Sequence, residues 1–305
     1  VQLNATLLPW PEECAGRRDS DFSWSQPPSN LCLDFHGDPV RAKLVVFSDG
    51  NHHMALSDAL RAFYQLNPTV DDIFYATTPP AVIVNLLKRG GIRLGNLSLS
   101  VRPHVFISPP AILRSLVDEG FIQQHRAFMR SRGNVLLVRA NNPKQIRRAA
   151  DLRNPQIRVF LSNPETEAAS FQVYAQSLVN YAAQQAVKIT DASAASLAMH
   201  FNLLYGHRIH HREAPQALFS DQADVAVVYY HLALRYTRIF PDEFAIVALD
   251  GSDITEPANS AHNIISDYHL GLVGDGGAWG GKLQSFMMSD TVTDIYQLHG
   301  LVRPD

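Results

Sequence analysis

Phe47-Ser-Asp-Gly-Asn-His-His-Met-Ala-Leu-Ser-Asp-Ala-Leu60 is the stretch from which the fold class of this chain can be read. The apolar residues 44–47 before it read as a strand. Ser48, Asp49, Gly50 and Asn51 are turn or N-cap residues, and Leu56, Leu60, Phe63 and Tyr64 recur at helical spacing. A strand that passes through a tight polar loop into a helix leaves the first-turn N–H groups without intrahelical partners, which makes a cradle for an anion. His52 and His53 sit where that cradle would meet its ligand.

The same alternation continues along the chain. Strands are predicted over residues 72–76, 104–108, 134–139, 158–161 and 225–229. Helices are predicted over 54–65, 81–88, 110–119, 143–152, 167–186 and 194–205, with another near 215–221. Strands and helices at this interval predict an α/β fold of mainly parallel sheets flanked by helices, with ligands at the carboxyl ends of the strands. The strand-to-helix junctions at 48–53, 76–80 and 162–170 are therefore candidate ligand loops, together with the segments 207–213 and 229–231.

Composition narrows the function classes. At 305 residues, 46% hydrophobic and 18% charged, the chain has the material for a large core and is not disordered. A net charge of -3 lacks the basic footprint of a nucleic-acid partner. The longest apolar runs, such as residues 225–230, are too short to span a bilayer. No glycine-flanked serine elbow, two-spacer cysteine pair or glycine-rich phosphate loop is present, so no enzyme activity and no cofactor are expected. Cys14 and Cys32 lie in an irregular proline- and tryptophan-bearing arm. A disulfide between them would contribute roughly 3 kcal/mol in the chain-entropy model and would suit an exported protein; two free thiols in a cytosolic protein are the alternative. A chain opening at Val1 reads as a trimmed mature chain, which places it in the periplasm or otherwise outside the cytoplasm.

Five motifs in order then carry a resemblance. Leu56-Ser-Asp-Ala-Leu60 is similar to a first-helix motif. Val105-Phe-Ile-Ser-Pro109 with Leu116-Val-Asp-Glu-Gly-Phe-Ile122 is similar to a strand and the helix end after it. Asn134-Val-Leu-Leu-Val138, Asn142-Pro143 and Arg158-Val-Phe-Leu-Ser-Asn-Pro-Glu165 follow as a crossover strand and an oxyanion loop. Ala223-Asp-Val-Ala-Val-Val-Tyr-Tyr230 matches a buried strand, and Phe286-Met-Met-Ser-Asp290 with Ile295-Tyr296 and His299-Gly300 a final helix and glycine stop. Over residues 42–304 the chain resembles the type II periplasmic solute-binding proteins of ABC importers, nearest the molybdate- and tungstate-binding group.

The resemblance implies a two-lobed fold with the ligand in an inter-lobe cleft, closing by hinge motion. It implies an arm over 1–41, one lobe from 42–134 with 252–305, and a second from 135–251. It also implies a monomer that delivers its ligand to an ABC permease at the inner membrane. The implied ligand contacts are Asn51, His52 and His53, with Ala55 where relatives carry a serine, then Thr77 and Thr78, Ala169 and Ser170, and His211 and Tyr229. A small oxyanion held by hydroxyls and backbone N–H groups is the expected ligand.

The histidines open a second reading, because a neutral imidazole coordinates transition metals. His52, His53, His211, Tyr229, Tyr230 and Glu165 would form that set, with Glu213 as another source of a carboxylate. A ligand-sensing or partner-binding protein without a transport role is the third reading.

Overall fold

A computed structural model describes residues 8–9, 34–78, 80–94, 97–184, 188–207, 209–252, 257 and 262–304 of the chain. Cys14 and Cys32, and the disulfide expected between them, lie outside the described residues, as does most of the N-terminal arm. The backbone forms two compact units. Among the described residues, one comprises 34–130 with 267–304, and the other Ser131–Ser266 with 8–9.

The first unit begins with β1 (Asp34–His36), β2 (Leu44–Ser48), α1 (His53–Leu66), β3 (Ile73–Thr77) and α2 (Pro80–Arg89). A short ribbon of β4 (Ile92–Leu94) and β5 (Leu97–Leu99) precedes β6 (Val105–Ser108), α3 (Pro110–Asp118) and β7 (Ile122–Arg130). The second unit holds β8 (Asn134–Arg139), β9 (Arg158–Leu161), α4 (Ala168–Gln184) and α5 (Ala194–Ala198). It continues with β10 (Asn202–Tyr205), α6 (His210–Phe219), β11 (Val225–Tyr229), α7 (Tyr230–Ile239) and β12 (Phe244–Val247). The chain then returns to the first unit with β13 (Asp267–Val273), α8 (Gly277–Met287) and α9 (Asp290–Leu298).

The predicted α/β class is present, but both large sheets are mixed. In the six-stranded sheet, ordered β1-β3-β2-β6-β13-β7, only β3-β2 and β2-β6 are parallel pairs. In the five-stranded sheet, ordered β10-β9-β11-β8-β12, the parallel pairs β10-β9 and β9-β11 adjoin antiparallel β8 and β12. The parallel centres are the segments where strand and helix alternate in sequence. The antiparallel additions are β1, β7 and β13 in the first sheet and β8 and β12 in the second; β7 and β13 have half-buried patterns that lack the unbroken apolar run of a doubly covered strand.

Two helix expectations are corrected. Residues 143–152 do not form one helix: Asn142 and Gln145 have positive φ of 38° and 51°, and only a 3₁₀ turn at Ala149–Arg153 forms. The Asn142 side chain bonds both the N–H and the carbonyl of Ile146, at 3.0 and 2.8 Å, offering that backbone an alternative to helix. Residues 194–205 split, with α5 capped by the Ser193 hydroxyl on Ser196 N–H and stopping at Ala198. Residues 202–205 become β10, because their backbone groups find partners on β9.

Both faces of the six-stranded sheet are covered. α1 places Leu56, Ala59, Leu60 and Phe63 with Val46 of β2 and Ile107 of β6 on one side, and Phe47, Phe74, Ile83 and Leu113 gather on the other. Phe63 meets Trp279 edge-on with ring centroids 6.3 Å apart and Phe286 at 5.4 Å. Truncation of Phe63 to alanine removes this centre and is expected to cost about 3–5 kcal/mol. Urea unfolding should show a lower midpoint for Phe63→Ala and a smaller loss for Phe63→Leu.

Candidate functional site

The opening loop is built by strand register. Ser48, the last residue of β2, pairs with Thr77 of β3 on one side and with Ile107 of β6 on the other. The ladders extend one step further, with Thr78 N–H donating to the Ser48 carbonyl at 2.9 Å and Asp49 N–H to the Ile107 carbonyl at 3.1 Å. Thr78, Asp49 and Ser108 therefore form one row across the carboxyl ends of three adjacent parallel strands. All three are buried, and among the described residues Thr78 Oγ1, Asp49 Oδ2 and Ser108 Oγ have no hydrogen-bond partner. Unsatisfied buried oxygens each cost about 1–3 kcal/mol, and three of them stand side by side in this row.

α1 begins beside this row. Its first turn carries no acidic residue and no side-chain cap, and its first helical bond runs from Leu56 N–H to the His52 carbonyl. The N–H groups ahead of that bond carry the positive end of the helix dipole.

The expected contacts differ in what they face. His52 is fully buried beneath the loop, with Nε2 3.1 Å from Ser48 Oγ and Nδ1 3.0 Å from the Tyr296 hydroxyl of α9. Its ring lies against Tyr268 and Phe128. Burial, with His53 nearby, drives its pKa down to about 3 and keeps the imidazole neutral. One nitrogen of that ring donates and the other accepts, so both are used inside the protein. His53 is half-buried, its Nδ1 is 2.9 Å from the Gly50 carbonyl, and burial lowers its pKa. Asn51 N–H donates to Asp49 Oδ1 at 3.2 Å, closing an Asx turn. Burial raises the Asp49 carboxyl to about 7 against that bond. Thr77 and Thr78 both sit at the tip of β3, and both are buried.

In the second unit, Ser162 follows β9, fully buried and with Oγ unpartnered. Asn163 then organises the turn into α4, accepting from Glu165 and Thr166 N–H at 2.9 and 3.3 Å. Ala169 and Glu165 are exposed, and the Ser170 hydroxyl donates to the Glu167 carbonyl. The first turn of α6 is occupied from within the chain: His210 N–H donates to Glu167 Oε2 at 2.8 Å. Burial, with Glu213 nearby, raises Glu167 to about 7. His211 is half-buried, and its carbonyl accepts the Tyr236 hydroxyl. Tyr229 and Tyr230 are both buried although they are sequence neighbours, because β11 ends at Tyr229 and α7 starts at Tyr230. Tyr229 packs on Tyr174 and His231, and Arg132 lies over Tyr230.

Among the described residues no three or more His, Cys, Asp or Glu side chains are placed to hold a metal ion. Asp49, Ser108 and Ser162 were not among the expected contacts. Ser108 and Ser162 are polar residues closing apolar strands, a local signal that could have found them; the row they complete depends on register.

The Tyr296 hydroxyl is the support beneath the loop. Tyr296→Phe leaves His52 Nδ1 without its partner and is expected to cost about 1–3 kcal/mol in denaturant unfolding. The unfolded chain protonates His52 near 6.5 and the folded chain only near 3. Its contribution to stability is therefore complete above pH 6.5 and is lost as pH falls toward 3. Imidazole NMR should show His52 neutral from pH 8 to pH 5.

A family model described as bacterial extracellular solute-binding protein matches residues 44–302. No curated protein sequence matches the chain. Among solved structures, Peb3 from Campylobacter jejuni is 14% identical with a TM-score of 0.58, over 85% of this chain and 99% of that one. The substrate-binding domain of a putative molybdenum ABC transporter from Clostridium difficile is 12% identical with a TM-score of 0.57, over 86% and 99%. The sulfate-binding protein SubI from Mycobacterium tuberculosis is 15% identical with a TM-score of 0.60, over 86% and 87%. At these identities the structural likeness establishes the two-lobed α/β fold. Among the described residues no helix is long and apolar enough to cross a membrane.

Proposed function

Because the chain belongs to the bacterial extracellular solute-binding proteins, we propose that it is the periplasmic or otherwise extracytoplasmic capture component of an ABC importer. In this reading it binds a small tetrahedral oxyanion of the molybdate or tungstate kind, hands it to a permease at the inner membrane, and performs no covalent chemistry.

The observation that carries the reading is the row Thr78, Asp49 and Ser108, with its three buried, unpartnered oxygens at the tips of parallel strands. The uncapped first turn of α1 lies beside it. Hydroxyls and backbone N–H groups suit a desolvated anion, because they offer several fixed donors and stabilise its charge without a neutralising cation. Asn51 and His53, half-buried on the same loop, are proposed as its rim. His52 holds the loop from below through Ser48 and Tyr296. With both of its nitrogens engaged there, nothing specific favours the metal reading over the anion.

A thermal-shift screen of chelator-treated protein against molybdate, tungstate, sulfate and divalent or ferric metals tests the proposal. A bound oxyanion at a hundred times its Kd should add about 2.7 kcal/mol of stability. Ser108→Ala and Thr78→Val should each weaken binding by about 10- to 100-fold, the worth of a hydrogen bond to a charged group. A shift with metals alone would overturn the oxyanion reading. No shift with either would turn the assignment toward a sensing or partner-binding role.

A further inference from the structure

We propose that Asp49 is the specificity-determining residue of the anion row: it makes the site take up one proton together with any fully deprotonated oxyanion. This inference rests on the reading of the row as the anion site.

The geometry sets the requirement. Asp49 lies between Thr78 and Ser108 in register, is buried, and has Oδ1 committed to Asn51 N–H while Oδ2 has no partner. In the proposed site, an anion bound across the row meets both neighbouring hydroxyls and Oδ2. Two negatively charged oxygens cannot share a dry contact, so a proton must lie between them.

Among the described residues, the groups around Asp49 do not supply a compensating positive charge. From its own loop, His52 Nε2 is 3.7 Å from Oδ1, and burial holds that imidazole neutral. His53 is likewise shifted toward its neutral form by burial. From α9, the Tyr296 hydroxyl keeps its proton, held by burial and by the neighbouring Asp49 charge. His36 on β1, which stacks on Tyr75 of β3 and senses His53, is lowered to about 4 by burial. β3 and β6 bring the uncharged Thr78 and Ser108. Burial raising Asp49 to about 7 is consistent with a carboxyl that can hold the shared proton near neutrality.

The proton balance separates two classes of anion. Molybdate, tungstate and sulfate arrive without a proton near neutral pH, so Asp49 Oδ2 must carry it and donate to the anion. Singly protonated phosphate brings its own O–H, which donates to an ionised Asp49 Oδ2 with no net uptake.

Isothermal titration calorimetry with sodium molybdate, sodium sulfate and sodium phosphate from pH 6 to pH 9 tests this on the whole chain. Molybdate or sulfate affinity is expected to fall about tenfold per pH unit above neutrality, with phosphate affinity changing far less between pH 7.5 and 9. In Asp49→Asn the amide donates at every pH, so the molybdate or sulfate slope should vanish while phosphate loses its acceptor and weakens. Should Asp49→Asn fail to fold, the wild-type protein alone decides. Titrations at pH 8 in two buffers of different ionisation enthalpy should report uptake of one proton per molybdate or sulfate, and zero uptake would overturn the proposal. A pH slope that persists unchanged in Asp49→Asn would overturn it too. If instead Ser108→Ala and Thr78→Val leave the binding of all three anions unaltered, or none of the three binds, the row itself is not the site, and the reading beneath this inference fails.

Discussion

The parallel pairing of β2 with β3 on one side and β6 on the other is the constraint on which the candidate site depends. Three strand tips in register bring Asp49, Thr78 and Ser108 to one level, although 59 positions separate the first from the last in sequence. Parallel strands require a crossover between them, and each crossover here carries a helix that starts at the strand tips. The same pairing that builds the core thus gathers polar side chains, loop amides and helix N-termini at one edge. A slip of one residue along β6 would replace the Ser108 hydroxyl with an apolar side chain.

The apolar core sets this register. Leu44, Val46 and Ile107 face α1 while Val45, Phe47 and Phe106 face the opposite layer, so each strand has both sides committed to packing. His52 then ties the loop to α9 through a neutral, fully bonded imidazole. A polar residue buried this deeply survives because both nitrogens are satisfied. The three oxygens of the row have no partner among the described residues, and that contrast with His52 is what the proposed site rests on. In the other sheet the first turn of α6 is closed by the Glu167 carboxylate, so that helix end already has its acceptor.

Much of this architecture was legible in the chain. The strands at 134–139, 158–161 and 225–229 read correctly because a doubly covered strand is an unbroken apolar run with polar ends. α1 read correctly because its apolar residues keep a helical period. β7 and β13 escaped, since half-covered strands with charged and histidine positions lose that contrast, and β12 escaped as a four-residue apolar segment too short to show a period. The residues 202–205 look helical by propensity and became a strand only because β9 offers a free edge. Tyr229 and Tyr230 read as one strand end, where one would face inward and one outward; the helix that starts at Tyr230 buries both.

What the sequence by itself determined is the α/β class and the solute-binding family. Both follow from local periodicity and ordered short motifs. Only the tertiary structure decided which polar residues at the strand-to-helix junctions are spent on the fold and which are left open. His52 and Asp49 are three residues apart on one loop, and nothing in their identity separates their roles. Partners distant in the chain do so: Tyr296 saturates the imidazole, while the neighbouring strand tips bring the carboxyl into line with two open hydroxyls.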